Sequence, residues 1–110
     1  MSNPESNDWN YLMIWEFRPQ VGSEKQFEEA YGPHGIWARL FARGDGFIAT
    51  ELIRDLAATN RYLTMDMWTS KTAYEKFREE FAEEYRSIDA RCEALTAQEQ
   101  SLGYFERRRS

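Results

Sequence analysis

A chain of 110 residues, 42% hydrophobic and 30% charged, has the length and composition of one globular domain and can bury a core without metal or disulfide staples. Its 19 acidic and 14 basic residues give a net charge of −5, which disfavours a nucleic-acid surface; the short basic run 107–109 does not overturn that. A single Cys92 excludes an intrachain disulfide, and no apolar run reaches the ~20 residues of a membrane span.

Residues 1–8 are polar, without the apolar stretch of a secretion signal. They are expected to form a flexible arm before a single domain over 9–107, with the cytoplasm as the expected location. The first strand is predicted from Trp9 to Phe17, apolar on both faces apart from Glu16, as in a strand buried on both sides. Pro19 and Gly22 end it. Ser23 to Gln26 has the pattern of a capping box, and Phe27, Ala30 and Tyr31 then share one helical face. The run 32–35 (Gly-Pro-His-Gly) breaks this helix, and Ile36, Trp37, Leu40 and Phe41 resume helical spacing in a second, short one.

Gly44 to Gly46 reads as a turn into a second strand, Phe47 to Arg54, joined through 55–60 to a third in an antiparallel hairpin. The third strand, 61–68, sorts its residues cleanly. Tyr62, Thr64, Asp66 and Trp68 point one way and Leu63, Met65 and Met67 the other. Thr69 or Ser70 caps the next helix, whose apolar line is Tyr74, Phe77, Phe81, Tyr85, Ile88, Cys92 and Leu95. A straight helix over that span would reach roughly 39 Å, far beyond a typical strand, so a bend near 83–86 or an overhang is expected. Thr96 to Glu99 matches a second capping box, and Leu102 to Arg107 is read as the last strand.

The order β-α-β-β-α-β is that of an α+β, ferredoxin-like fold, a four-stranded antiparallel sheet with helices on one face. A monomer would leave Leu63, Met65 and Met67 of the other face in water, at ~1.5–3 kcal/mol each if fully exposed. A two-fold homodimer is the expected remedy. The aromatic share of 15% also exceeds what a thin domain hides easily, which points to a ligand pocket or an interface.

Asp66 is the most informative residue, because a carboxylate in the middle of a buried strand costs several kcal/mol unless paired or protonated. It is a general base, an orienter of His34, or a structural partner of Arg54 or Arg39; Glu16 poses the same choice. His34, the only histidine, lies either at a pocket mouth, where it suits proton transfer, or in an exposed loop, and a lone histidine gives no support for a metal site. Trp68 stacks on a flat ligand or packs in the core; Tyr74 packs, with its hydroxyl at the rim. Cys92, on the apolar stripe, is an inert core thiol. No nucleophile elbow, phosphate loop or dinucleotide fingerprint is present.

Several short pieces together resemble the antibiotic biosynthesis monooxygenase family of dimeric α+β barrels over residues 9–106. They are the helix opening 24–27, Gly46-Phe47 at the second strand, and Met67 to Ser70 followed by Ala73-Tyr74 and Phe77. In members that oxidise anthrone-like polyketides without metal, flavin or haem, a Trp late in strand three and a Tyr six residues on line the pocket. Trp68 and Tyr74 match that spacing, while Thr64 stands where those enzymes carry Asn, a hydroxyl in place of an amide. Haem-degrading relatives carry a His where this chain has Arg78. The resemblance implies a homodimeric, cofactor-independent monooxygenase acting on a small aromatic or polycyclic compound. Tyr74, Asp66 and His34 are the candidate catalytic residues; Trp68, Thr64 and Phe77 are the candidates to hold the substrate. The alternative is a non-catalytic homodimer that binds a small hydrophobic ligand or a protein partner on the same scaffold.

Overall fold

The computed structural model describes residues 8–109, so nearly all of the expected N-terminal arm lies outside the described residues. The elements are β1 (Tyr11–Pro19), α1 (Glu24–Tyr31), α2 (Ile36–Phe41), β2 (Phe47–Arg54), β3 (Tyr62–Trp68), α3 (Lys71–Glu80), α4 (Ala82–Cys92), a 3₁₀ turn (Glu93–Leu95) and β4 (Thr96–Glu106). Strand order is β2-β3-β1-β4 and every neighbouring pair is antiparallel. This is the predicted α+β, ferredoxin-like fold.

The two faces of the sheet differ as the alternation in β3 requires. Tyr62, Thr64, Asp66 and Trp68 are buried beneath the helices, with Tyr11, Met13 and Phe17 of β1 beside them. Trp68, Phe27 and Phe77 are the largest fully buried side chains. The opposite face carries Leu12 and Ile14 of β1 against Met67 and Met65 of β3, all half-buried. Ile53 and Phe105 are 44% and 43% exposed, which is high for apolar side chains of this size. Among the described residues no helix is long and apolar enough to cross a membrane.

Local signals decide some helix ends and lose at others. Ser70 caps α3, its hydroxyl accepting from the Ala73 amide at 3.0 Å. Ser23 makes no such bond; instead the Glu24 carboxylate accepts from the Gly22 amide at 3.0 Å. The break expected within the long second helical run falls at Phe81, just before the predicted stretch, and separates α3 from α4. The second capping box forms no helix. Thr96 pairs with Pro19 and opens β4, because the ladder along β1 satisfies more backbone groups than one helical turn could. The last strand, 11 residues long, is therefore nearly twice the length that the pattern 102–107 predicts.

Candidate functional site

Strand register assembles the floor of a cavity. Asp66 lies opposite Met13 on one side and Thr50 on the other, and Thr64 lies opposite Trp15 and Leu52. Two residues on, Phe17 of β1 continues the same face, and Glu99 of β4 pairs with it. The helices close the roof: Tyr31 ends α1, Trp37 and Phe41 come from α2, and Tyr85 and Asp89, one turn apart on α4, come from the far side. These groups, with Trp15, Thr50, Thr64 and Asp66, surround a cavity of about 70 Å³ that is partly open to solvent.

Asp66 is its chemical centre. It is 6% exposed, and one carboxylate oxygen accepts a hydrogen bond of 2.7 Å from the Thr50 hydroxyl. Burial pushes its pKa up to about 6, and the Thr50 bond opposes that rise only in part. The expected partners are elsewhere. Arg54 ends β2 opposite Tyr62, Arg39 donates to the backbone carbonyl of His34 at 2.7 Å, and the His34 side chain is exposed. Glu16 sits on the opposite face of the sheet, where it takes a 3.0 Å bond from Arg61.

Of the six residues singled out from sequence, Asp66 and Thr64 line the cavity. Trp68 is fully buried beside it, its ring 5.1 Å from that of Phe77 and 5.4 Å from that of Tyr74. The Tyr74 hydroxyl accepts from Arg78 at 3.0 Å, and burial raises its pKa against the pull of that guanidinium. Arg78 also lies 3.8 Å from the centre of the Tyr85 ring. Burial likewise pushes the Tyr31 and Tyr85 phenols well above the ordinary tyrosine range, so both are neutral donors at physiological pH. The indole N–H groups of Trp37 and Trp68 are buried with no acceptor among the described residues. Cys92 is a free, buried thiol. No group of three or more His, Cys, Asp or Glu among the described residues could hold a metal ion.

The cavity residues passed over in the sequence are Trp15, Phe17, Tyr31, Trp37, Phe41, Thr50, Tyr85, Asp89 and Glu99. A signal existed for the first two, which alternate on the same face of β1 as Tyr11 and Met13. Thr50 becomes visible only once the β2–β3 register is known.

Comparison with curated protein sequences gives no match. Solved structures do match along most of the chain. SnoaB, a cofactor-independent oxygenase from Streptomyces nogalater, is 20% identical with a TM-score of 0.66 over 93% of this chain and 96% of its own. Two proteins named for antibiotic biosynthesis monooxygenases are similar as well. The one from Bordetella bronchiseptica is 19% identical with a TM-score of 0.69, over 90% of this chain and 97% of its own. The one from Caulobacter crescentus is 13% identical with a TM-score of 0.72, over 93% of each chain. At such identities the likeness is one of fold. The family model described as antibiotic biosynthesis monooxygenase matches residues 10–91, from just before β1 to the end of α4, and the chain belongs to that family.

Proposed function

We propose that the protein is a homodimeric monooxygenase that oxidises a small aromatic compound without a cofactor, with Asp66 as its base. One observation carries this reading. A carboxyl group with a pKa near 6 faces a ring-lined cavity, and its one hydrogen-bond donor among the described residues is a neutral hydroxyl. Such a group is largely ionised at neutral pH yet poorly solvated, the condition of an effective general base. Family membership and the fold shared with a cofactor-independent oxygenase support the same reading.

Asp66 takes a proton from an acidic phenol or an activated methylene. The resulting anion gives an electron to dioxygen, the radical pair combines to form a C–O bond, and the hydroperoxide loses water to leave a carbonyl. The balance is CH₂ + O₂ → C=O + H₂O, and the substrate supplies all the electrons. Thr50 holds Asp66 in place, and Thr64, which lines the cavity, stabilises the anion through its hydroxyl. Trp15, Trp37 and Tyr85 hold the ring. Trp68, Phe77 and Tyr74 back the end of β3 on the α3 side, while His34 stands outside the reaction. The cavity is about half the ~150 Å³ void that accommodates benzene, so one ring enters part-way and the rest of the molecule emerges at the open side. That geometry favours a single-ring substrate over a polycyclic one.

The test is Asp66→Asn, which keeps shape and removes the base. Across a panel of phenols and quinols, wild type should give a dioxygen-dependent product heavier by one oxygen less two hydrogens. The variant should lose turnover by ~10²–10⁴-fold while still binding. Binding without any such product from wild type would favour the non-catalytic ligand-binding dimer instead.

A further inference from the structure

The cavity's charge is one-sided. Asp66 lies at its floor, and Asp89 of α4 and Glu99 of β4 are exposed at its edge; no lysine, arginine or histidine lines it. Among the described residues none of these three carboxyls has an ion-pair partner. The groups acting on Asp66 reduce to burial and the Thr50 hydroxyl. Glu99 is raised by burial and by the like charges of Asp89 and Glu93, so the edge repels itself. Arg78 stacks on the Tyr85 ring at 3.8 Å but does not line the cavity. The rest of the lining is mostly aromatic, notably Trp15, Trp37 and Tyr85. Ring faces attract cations and repel anions.

We propose that the cavity selects aromatic ligands bearing a positive charge, aryl-alkyl amines in their protonated form, with the ring inside toward Asp66 and the ammonium at the mouth between Asp89 and Glu99. The observations on the floor and at the edge are independent. Asp66 is a nearly fully buried carboxyl aimed into the space, and an ionised group there gains most from a net positive ligand. Asp89 and Glu99 lie on consecutive elements, α4 and β4, joined by the 3₁₀ turn, and both line this opening. An anionic ring compound of the same size would meet three like charges. The proposal rests on the cavity being the substrate site of the oxygenase reading, and it adds the charge of the substrate.

Three probes that share the para-hydroxyphenyl ring and differ in charge decide it: tyramine, the neutral para-ethylphenol and the anionic para-hydroxyphenylacetate, titrated calorimetrically into the full chain without oxygen. Tyramine should bind roughly tenfold more tightly than para-ethylphenol, the anion should bind weakest, and salt should narrow both differences while leaving para-ethylphenol binding nearly unchanged. The double variant Asp89→Asn, Glu99→Gln changes exposed side chains without altering their size and should abolish the preference of tyramine over para-ethylphenol. Equal or tighter binding of the neutral or anionic probe would overturn the proposal, as would no binding of any of the three. Selective tyramine binding with no oxygenated product from any probe, once oxygen is admitted, would remove the oxygenase reading and leave this one. Oxygenation of para-ethylphenol at a KM no higher than that of tyramine would do the reverse.

Discussion

A buried acid leaves a mark on folding as well as on chemistry. The Asp66 carboxyl has its pKa raised from 3.8 to about 6 by burial, so the native state binds its proton more tightly than the unfolded chain does. The stability this group contributes is therefore fully present below pH 3.8 and is lost as pH rises through about 6, a change of roughly 3 kcal/mol. Asp66→Asn cannot titrate there. Denaturation of both proteins across this range should show wild type losing stability relative to the variant as pH rises, with the gap levelling off above neutrality. A constant difference at all pH values would mean that Asp66 is not held in the native state as described. Thr50 offers a finer test, since its hydroxyl favours the charged carboxylate. Thr50→Val should move the acid limb of the activity profile to higher pH, and Thr50→Ser should leave it near wild type. The anomaly of Asp66 was plain from its place in an alternating strand. Its partner was not, because Thr50 is an unremarkable residue until register sets it opposite.

Each element brings its residues to the cavity through a few backbone decisions. Gly46 has a φ of +98°, and a Cβ there would lie 2.6 Å from the Thr69 hydroxyl and 2.7 Å from the Ala73 Cβ. Its carbonyl also accepts from the Thr69 amide at 2.8 Å, tying the start of β2 to the end of β3. Gly46→Ala should destabilise the domain by roughly 2 kcal/mol, through left-handed strain and the forced shift of α3. A melting temperature equal to wild type would show that this turn is free to rearrange. The turn was legible, since Gly-Asp-Gly between apolar runs permits little else. The break at Phe81 was legible only from length: no Gly or Pro marks it, but an unbroken helix would overrun the sheet. The break starts a separate helix, α4, whose Tyr85 and Asp89 reach the cavity. The start of β4 was hidden for the opposite reason. Thr96 to Glu99 carries a strong local helix signal, and pairing with β1, remote in sequence, overrides it.

For the whole molecule, the question is what covers the second face of the sheet. Leu12, Ile14, Met65 and Met67 form a continuous apolar strip across its two central strands, extended by Ile53 on β2 and Phe105 on β4. The helices all serve the other face, so nothing among the described residues covers this strip. At ~25 cal/mol per Å² of apolar surface, covering it offers a large gain, and a stable interface needs only ~800 Å² from each partner. A copy of the same chain would supply the matching strip by two-fold rotation, which is the expected dimer. Sedimentation at micromolar concentration should then give a mass twice the 13.1 kDa of one chain. Met65→Lys places a charge at the centre of the strip, beside Ile14 and within reach of Glu51, its cross-strand neighbour on β2. That neighbour can accept the ammonium in a monomer, so the variant should stay folded while sedimenting as a single chain. A wild type that sediments as a single chain would leave the strip wet and remove the homodimer from the functional reading. The cavity lies on the opposite side, beneath the helices, so Asp66 chemistry and dimerisation can be separated. A folded, monomeric Met65→Lys that retains turnover would show that one subunit builds the whole site, and a folded monomer without turnover would show that the dimer holds it in shape.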